Sequence, residues 1–452
     1  MRHPGDILIV SCYELGRQPV AAATALAELR RAGFAPAALD VSVQAVDDEV
    51  LRRSSLVVIS VPMHTALRLG VRVAQRARED AHVCFFGLYA ELNSEHLLER
   101  HADSVIGAEA DVPLRLLAEA LERGDPGIVP GVRTAGGVTL LAREKLAPAV
   151  PSRAGLPVLD RYARLAIGEE TRLVASVEAS RGCKHLCRHC PIVPVYRGRF
   201  VAVPRETVLR DVEQQIEAGA RHVTFGDPDF LNGPTHALRL VRELHARWPE
   251  VTFDATIKIE HLLQHRAILP ELAACGCLFI TSAVESLNDS VLGALDKGHT
   301  AADVPVALRL VRSAGIDLRP TLLPYTPWSG SRDVAELFEF AVEHDLVEQI
   351  DPVQYTLRLL IPPGSAILDG DEPRPWLGRL EPDQFGWSWT HPDPRVDELW
   401  RASAALAKAQ AESGADSMDT FRKLRALADP RPHEAPRRAS RKVPRLTEPW
   451  FC

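Results

Sequence analysis

Apolar and polar positions alternate in two registers along the first 125 residues. Short apolar runs read as strands: "DILIVS" (6–11), "SLVVISVP" (55–62), "HVCFFG" (82–87) and "SVIG" (104–107), with "APAALDVS" after the first helix. Between them, 21–34, 66–79 and 92–101 carry apolar residues at helical spacing. Strands of this kind separated by amphipathic helices predict a parallel sheet covered on both faces. Residues 1–125 are therefore expected to form a flavodoxin-like or Rossmann-like domain. In such sheets ligands lie beyond the carboxyl ends of the strands, which points to "SCYELG", "PMHTALRLG" and "GLYAELN". No GxGxxG follows the first strand, so a dinucleotide site lacks support.

Residues 126–172, rich in Gly, Pro and Arg, read as a connector. A second βα series begins near 173. Its strands are "LVASVEAS", "HVTF" (222–225), "VTFDAT" (251–256), "CLFITS" (277–282), "IDLRPTLL" (316–323) and "IDPVQYTL" (350–357). Helices are expected at 204–218, 234–247, 267–275, 302–314 and 331–345. Six repeats predict a partial (β/α)6 barrel over 173–390, with its chemistry at the C-terminal strand ends. Residues 391–452 should form a helical extension, "RVDELWRASAALAKAQAESG", and a polar tail ending in "LTEPWFC". The fold class is thus α/β in two domains.

Composition narrows the function. The 452 residues carry a net charge of −7, and this absence of basic excess argues against a nucleic-acid partner. The basic run "RPHEAPRRASRKVPR" reads as a solvated tail. The N-terminus lacks a signal-peptide pattern, and no stretch approaches the ~20 apolar residues of a membrane span. A cytoplasmic protein is expected, so the eight cysteines are ligands, reactive thiols or small buried residues rather than a disulfide frame. Cys12, Cys84, Cys275 and Cys277 fall at strand positions and are read as buried.

"RGCKHLCRHC" (181–190) follows the first barrel strand and supplies three thiols, Cys183, Cys187 and Cys190. Three thiolates hold three irons of a 4Fe–4S cubane and leave the fourth iron open to a substrate. The alternative is a zinc site completed by His185 or His189. A Cx3CxxC loop on a (β/α) barrel resembles the radical S-adenosylmethionine superfamily. That resemblance implies a 4Fe–4S cluster, S-adenosylmethionine chelated to the open iron, and reductive cleavage of a C–S bond. It also implies site residues. Gly226 in "TFGDPDF" would allow close approach, and Asp227 or Asp229 would accept from the methionyl ammonium; a capped helix start is the alternative for both. Glu285 and Ser286 in "AVESLND" resemble positions that contact ribose and carboxylate, with "LDKGHT" following. Arg358 in "LRLLIPPGS" would contact substrate or cofactor carboxylate, with a structural salt bridge as the alternative.

A flavodoxin-like domain ahead of such a barrel resembles the cobalamin-binding subgroup, although the DxHxxG signature is absent. The resemblance would place Met63 and His64 beneath a corrin, with Gly87 and Gly107 approaching it closely. Over nearly the whole chain, "ISVPMHTALRLG", "CKHLCRHCPIVPVYRG" and "EPWFC" resemble radical S-adenosylmethionine proteins named for a CUAEP or CCAEP tail. The expectation is that the reading frame continues past Cys452 through a UGA-encoded selenocysteine, and that Cys452 folds back to act in catalysis. The implied outcome is methyl transfer to a small molecule or peptide, fed by a low-potential electron donor. Transfer of a 3-amino-3-carboxypropyl group and cobalamin-free radical chemistry stay open. A non-catalytic metal-binding or electron-transfer protein is the competing class.

Overall fold

The computed structural model describes residues 1–77, 80–125, 127–137, 148–432 and 443–447. The first sheet consists of β1 (Ile7–Ser11), β2 (Ala37–Asp40), β3 (Leu56–Ser60), β4 (His82–Phe86), β5 (Ser104–Ile106) and β6 (Val132–Arg133). Its order is β2-β1-β3-β4-β5-β6, parallel except for β6. The first five strands follow the flavodoxin-like order. Side-chain alternation explains the two layers. Ile7 and Ile9 pack with Leu26 and Leu29 on one face, while Leu8 and Val10 join the cluster holding Leu67 and Val71 on the other. The expected helix at 92–101 is two short helices, Leu88–Leu92 and Ser94–Arg100.

The second sheet contains β7 (Arg164–Ile167), β8 (Glu170–Val177), β11 (His222–Phe225), β12 (Thr252–Thr256), β13 (Cys277–Glu285), β14 (Asp317–Leu322) and β17 (Arg445–Leu446). It runs β14-β13-β12-β11-β8-β7-β17. β8, β11, β12, β13 and β14 are parallel, and helices Arg205–Glu217, Pro234–Arg247, Asp303–Ser313 and Ser331–Glu343 cover their outer face. A small hairpin, β9 (Ser180–Gly182) with β10 (Phe200–Ala202), stands at the end of β8. A second, β15 (Leu377–Glu381) with β16 (Gly386–Trp389), precedes the C-terminal helices.

The sixth expected strand is not formed. Pro352 sits in a 3-10 helix, Pro352–Thr356, since proline cannot donate to a ladder. Among the described residues, only the bridge Tyr325–Arg358 continues the sheet beyond β14. The expected connector contributes β6 to the first sheet and β7 to the second. The C-terminal extension is two helices, Pro394–Glu412 and Ser417–Ala428, the second capped by Asp416 and anchored by buried Phe421 and Leu424. Among the described residues no helix is long and apolar enough to cross a membrane.

Several contacts join the domains. Arg153 forms a two-pronged pair with Asp211 at 2.8 and 2.6 Å, donates to the Ser176 carbonyl and reaches the Gln18 carbonyl of the first domain at 3.4 Å. Arg181 Nη1 lies 3.0 Å from Asp111 Oδ2 and 3.4 Å from Glu109 Oε2. His64 Nε2 meets the Gln384 carbonyl at 2.8 Å.

Candidate functional site

The loop carrying the three thiols leaves β9 at Gly182, whose φ of +77° favours glycine. An added Cβ there would stand 2.5 Å from the Arg199 carbonyl oxygen and from the Tyr196 ring. Cys183 and Cys187 are buried and Cys190 half-buried, and all three are free. Asn232 Oδ1 accepts from Lys184 N at 3.1 Å, and Arg188 N donates to the Leu295 carbonyl at 2.9 Å, so the loop is pinned from both sides. Burial raises Cys183, and the charges of Asp229 and Cys187 add to that. Burial, with the other two thiolates, raises Cys190 to about 12. A cation among these sulfurs is what lets them ionise together. Cys190 also faces the first domain, where its charge adds to the burial that raises Tyr89.

β13 delivers Glu285 in a left-handed conformation, φ +63°. Its Oε1 accepts from Lys297 Nζ and from His189 Nε2, each at 3.2 Å. Burial alone would raise this carboxyl, but Lys297 and His189 outweigh it and hold the group at about 2. The Ser286 hydroxyl accepts from Asn288 N at 3.1 Å. Asp227 braces two strand ends, taking Ser180 Oγ at 2.6 Å and Ala179 N at 2.9 Å, and burial lifts it to about 7. Asp229 is fully buried and caps Leu231 N with Oδ1, while Oδ2 faces His185 and His261. The capping expectation is thus met at Asp229, and Asp227 is saturated within the protein.

Arg358 is occupied structurally. It pairs with Asp397 at 2.6 Å, donates to the Trp389 carbonyl and lies 3.6 Å over the Trp389 ring. These contacts tie it to the C-terminal helix, which accounts for the arginine without a ligand.

Between the carboxyl edge of the first sheet and the barrel mouth lies a cavity of about 210 Å³. Pro62, Gly87 and Leu88 line one wall; Ser180, Gly182 and Gly226 line the other. Gly87 has φ +110°, and a Cβ there would meet the Val61 backbone at 3.2 Å. Met63, His64 and Gly107 do not line this cavity. The His64 ring packs instead against Tyr89 and Phe385, and a Cβ at Gly107 would strike the Glu91 carboxylate. Cys452 lies outside the described residues. Cys12, Cys84, Cys275 and Cys277 are buried as expected, although Cys275 ends helix Leu269–Ala274 rather than starting a strand and Cys12 lies just past β1.

Sequence reasoning assigned no role to Lys297 or His261. Lys297 sits in the quoted "LDKGHT", but only the fold shows it buried against Glu285. His261 carries no local signal, because helix Ile259–Gln264 turns it toward a residue 32 positions earlier.

The structure thus sets a half-barrel, with three free thiols after its first parallel strand, against a doubly wound domain. Residues 177–341 match the family model of the Radical SAM superfamily. The ribosomal protein uS12 methylthiotransferase RimO of Porphyromonas gingivalis is 25% identical over 178 residues, 37% of this chain and 41% of that protein. A tRNA-2-methylthio-N(6)-dimethylallyladenosine synthase of Pseudomonas paraeruginosa is 27% identical over 175 residues, 36% of this chain and 38% of that protein. The match thus spans about two fifths of these relatives' length. Two solved structures share the fold over most of the chain. TsrM from Kitasatospora setae, with cobalamin and a 4Fe–4S cluster bound, gives a TM-score of 0.67 at 17% identity and covers 89% of this chain and 88% of that one. OxsB with aqua-cobalamin bound gives 0.68 at 14% identity, covering 92% and 70%.

Proposed function

We propose that this chain is a radical S-adenosylmethionine enzyme. In this reading Cys183, Cys187 and Cys190 hold a 4Fe–4S cluster, cobalamin occupies the crevice between the domains, and a methyl group passes to a small molecule or peptide. The observation that carries it is the cavity itself. It opens Gly87 of the first sheet onto Gly182 and Gly226 of the barrel, one residue from Cys183.

The residues present fit these groups. Buried polar atoms without a partner include His189 Nδ1 and Asn232 Nδ2 on or beside the thiol loop, and both ring nitrogens of His299. Such atoms are costly unless a polar ligand meets them. When bound, the cluster supplies the electron for reductive cleavage of S-adenosylmethionine, and cobalamin supplies a methyl carrier. The protein's own part is to orient and to exclude water. Gly182 and Asn232 shape the thiol loop, Lys297 places a cation beside Cys187 and Cys190, and Glu285 fixes Lys297 and His189. Gly226 and Gly87 keep the two cavity walls free of side chains. TsrM, a radical S-adenosylmethionine methyltransferase, and the cobalamin bound in TsrM and OxsB support the reading by likeness of fold.

Protein reconstituted without oxygen should carry about four irons per chain and lose them in the Cys183→Ala, Cys187→Ala, Cys190→Ala variant. Its reduced-cluster EPR signal should change when S-adenosylmethionine is added. Corrin absorption retained through desalting supports the crevice assignment. A chain that cleaves S-adenosylmethionine but retains no corrin returns the crevice to the substrate. Zinc in place of iron overturns the reading.

A further inference from the structure

Beside the thiols, but not sharing them, three residues from three elements converge. His185 comes from the loop between Cys183 and Cys187, Asp229 from the turn after β11, and His261 from helix Ile259–Gln264 after β12. We infer that His185, Asp229 and His261 form a second metal site, taking a divalent first-row transition ion such as zinc or ferrous iron.

Distances come first. Asp229 Oδ2 lies 2.9 Å from His261 Nδ1 and 3.6 Å from His185 Nε2. The two imidazoles approach at 3.2 Å, Nε2 to Nε2. An imidazole gives one ion one nitrogen, and one ligand atom from each of the three residues lies within 4.8 Å of the others; ligand atoms about 2.1 Å from one tetrahedral ion stand about 3.4 Å apart, a spacing within that reach. Two histidines and one carboxylate are a donor set suited to zinc or ferrous iron.

The second observation concerns what these atoms lack. Asp229 is fully buried, yet Oδ2 has no hydrogen-bond partner, and neither has His261 Nδ1. They face each other at 2.9 Å without hydrogen-bonding geometry, so neither atom is satisfied by the other. A buried carboxylate oxygen left this way costs free energy that an ion would remove.

The third observation is the supporting shell. Asp229 Oδ1 is already fixed by Leu231 N at 3.0 Å, which leaves Oδ2 as the projecting atom. His185 Nδ1 lies 3.4 Å from Glu260 Oε2. A proton held on Nδ1 toward that carboxylate leaves the Nε2 lone pair for a metal, the carboxylate–histidine–metal pattern. Lys258, the nearby cation, is matched by the same Glu260 at 3.1 Å. An ion here would clamp the thiol loop to the ends of β11 and β12, fixing the two cysteines that flank His185.

The test separates this site from the cluster. The full-length Cys183→Ala, Cys187→Ala, Cys190→Ala chain is titrated with Co²⁺, whose visible d–d bands report nitrogen and oxygen ligation. The expected result is a single saturable cobalt per chain, displaced by Zn²⁺. Adding His261→Gln or Asp229→Asn should weaken it by about tenfold or more, with the circular dichroism unchanged. No saturable cobalt, or cobalt indifferent to both substitutions, overturns the proposal. If the triple variant does not fold, the reconstituted wild-type chain is analysed instead, with zinc supplied. Zinc bound beside about four irons, and lost in His261→Gln with iron retained, supports the site; about four irons with neither zinc nor a further iron overturns it. Because iron is counted separately, failure of this site and failure of the cluster reading give different results.

Discussion

Lys297 Nζ donates to Glu285 Oε1 at 3.2 Å with both groups shut away from solvent. The pair joins the end of β13 to the segment after helix Asp289–Ala294, and His189 binds the thiol loop to the same oxygen. Removing one member strands the other charge in a poorly polar setting. Lys297→Ala should therefore cost about 3–5 kcal/mol, and the double variant Lys297→Met, Glu285→Gln distinctly less. Urea unfolding of the metal-free protein checks this; a double variant as unstable as the single one would refute the coupling.

Glu14 gives a pH signature far from the thiols. Its Oε2 accepts from Val20 N at 3.0 Å, while Oε1 is buried without a partner. Burial, aided by the charges of Glu178 and Asp40, raises the carboxyl to about 8. In the unfolded chain it titrates near about 4.3. Between those values the unfolded state has released its proton and the folded state keeps it. Stability therefore falls as pH rises from about 4 to about 8 and levels off above. Glu14→Gln removes this loss, so its melting temperature should exceed wild type by a margin that widens over that window. Melting curves at pH 5, 7 and 9 decide it, and a constant margin counts against the assignment.

Arg153 grips the barrel's first strand and the helix Arg205–Glu217 together, through the Ser176 carbonyl and Asp211. Both side chains of the pair are largely buried, 8% and 3% exposed. Arg153→Ala leaves Asp211 uncompensated and should cost about 3–5 kcal/mol, with Arg153→Lys intermediate because a point charge cannot match both oxygens. Denaturant midpoints of the three proteins test the ranking.

Gly182→Ala should displace the thiol loop without unfolding the barrel. The new methyl would push on the Arg199 carbonyl and the Tyr196 ring, both part of the loop's own return path. Iron incorporated on reconstitution is expected to drop while far-ultraviolet circular dichroism is kept. Full iron loading in the variant would show that the loop tolerates the shift.

Most of this architecture was legible because buried parallel strands write themselves as unbroken apolar runs. β1, β3 and β4 lie within a residue or two of their apolar runs for that reason. Reading failed where context decides. "IDPVQYTL" has strand-like residues, but Pro352 and the packing of Tyr355 on Phe338 turn it into a 3-10 helix. β7 is only partly buried and hid in a stretch that looked like linker. Ser417–Ala428 was lost in a polar tail, although Asp416 and the Phe421–Leu424 spacing mark a helix. At the site, the cysteines announced themselves through spacing within one loop. Asp229 with His261, and Glu285 with Lys297, are contacts that only the closed fold creates.

β17 pairs antiparallel with β7, Arg445 opposite Ala166 and Leu446 opposite Leu165. A curled but unclosed sheet has two rims, and a rim offers unpaired amide and carbonyl groups to any passing strand. Here the chain's own late segment takes that place on the β7 rim, and the Arg319 guanidinium holds the Pro444 carbonyl from β14. Residues 443–447 thus act as an internal guard against strand-to-strand self-association, and trimming the polypeptide ahead of them would expose a sticky margin on an otherwise well-covered barrel.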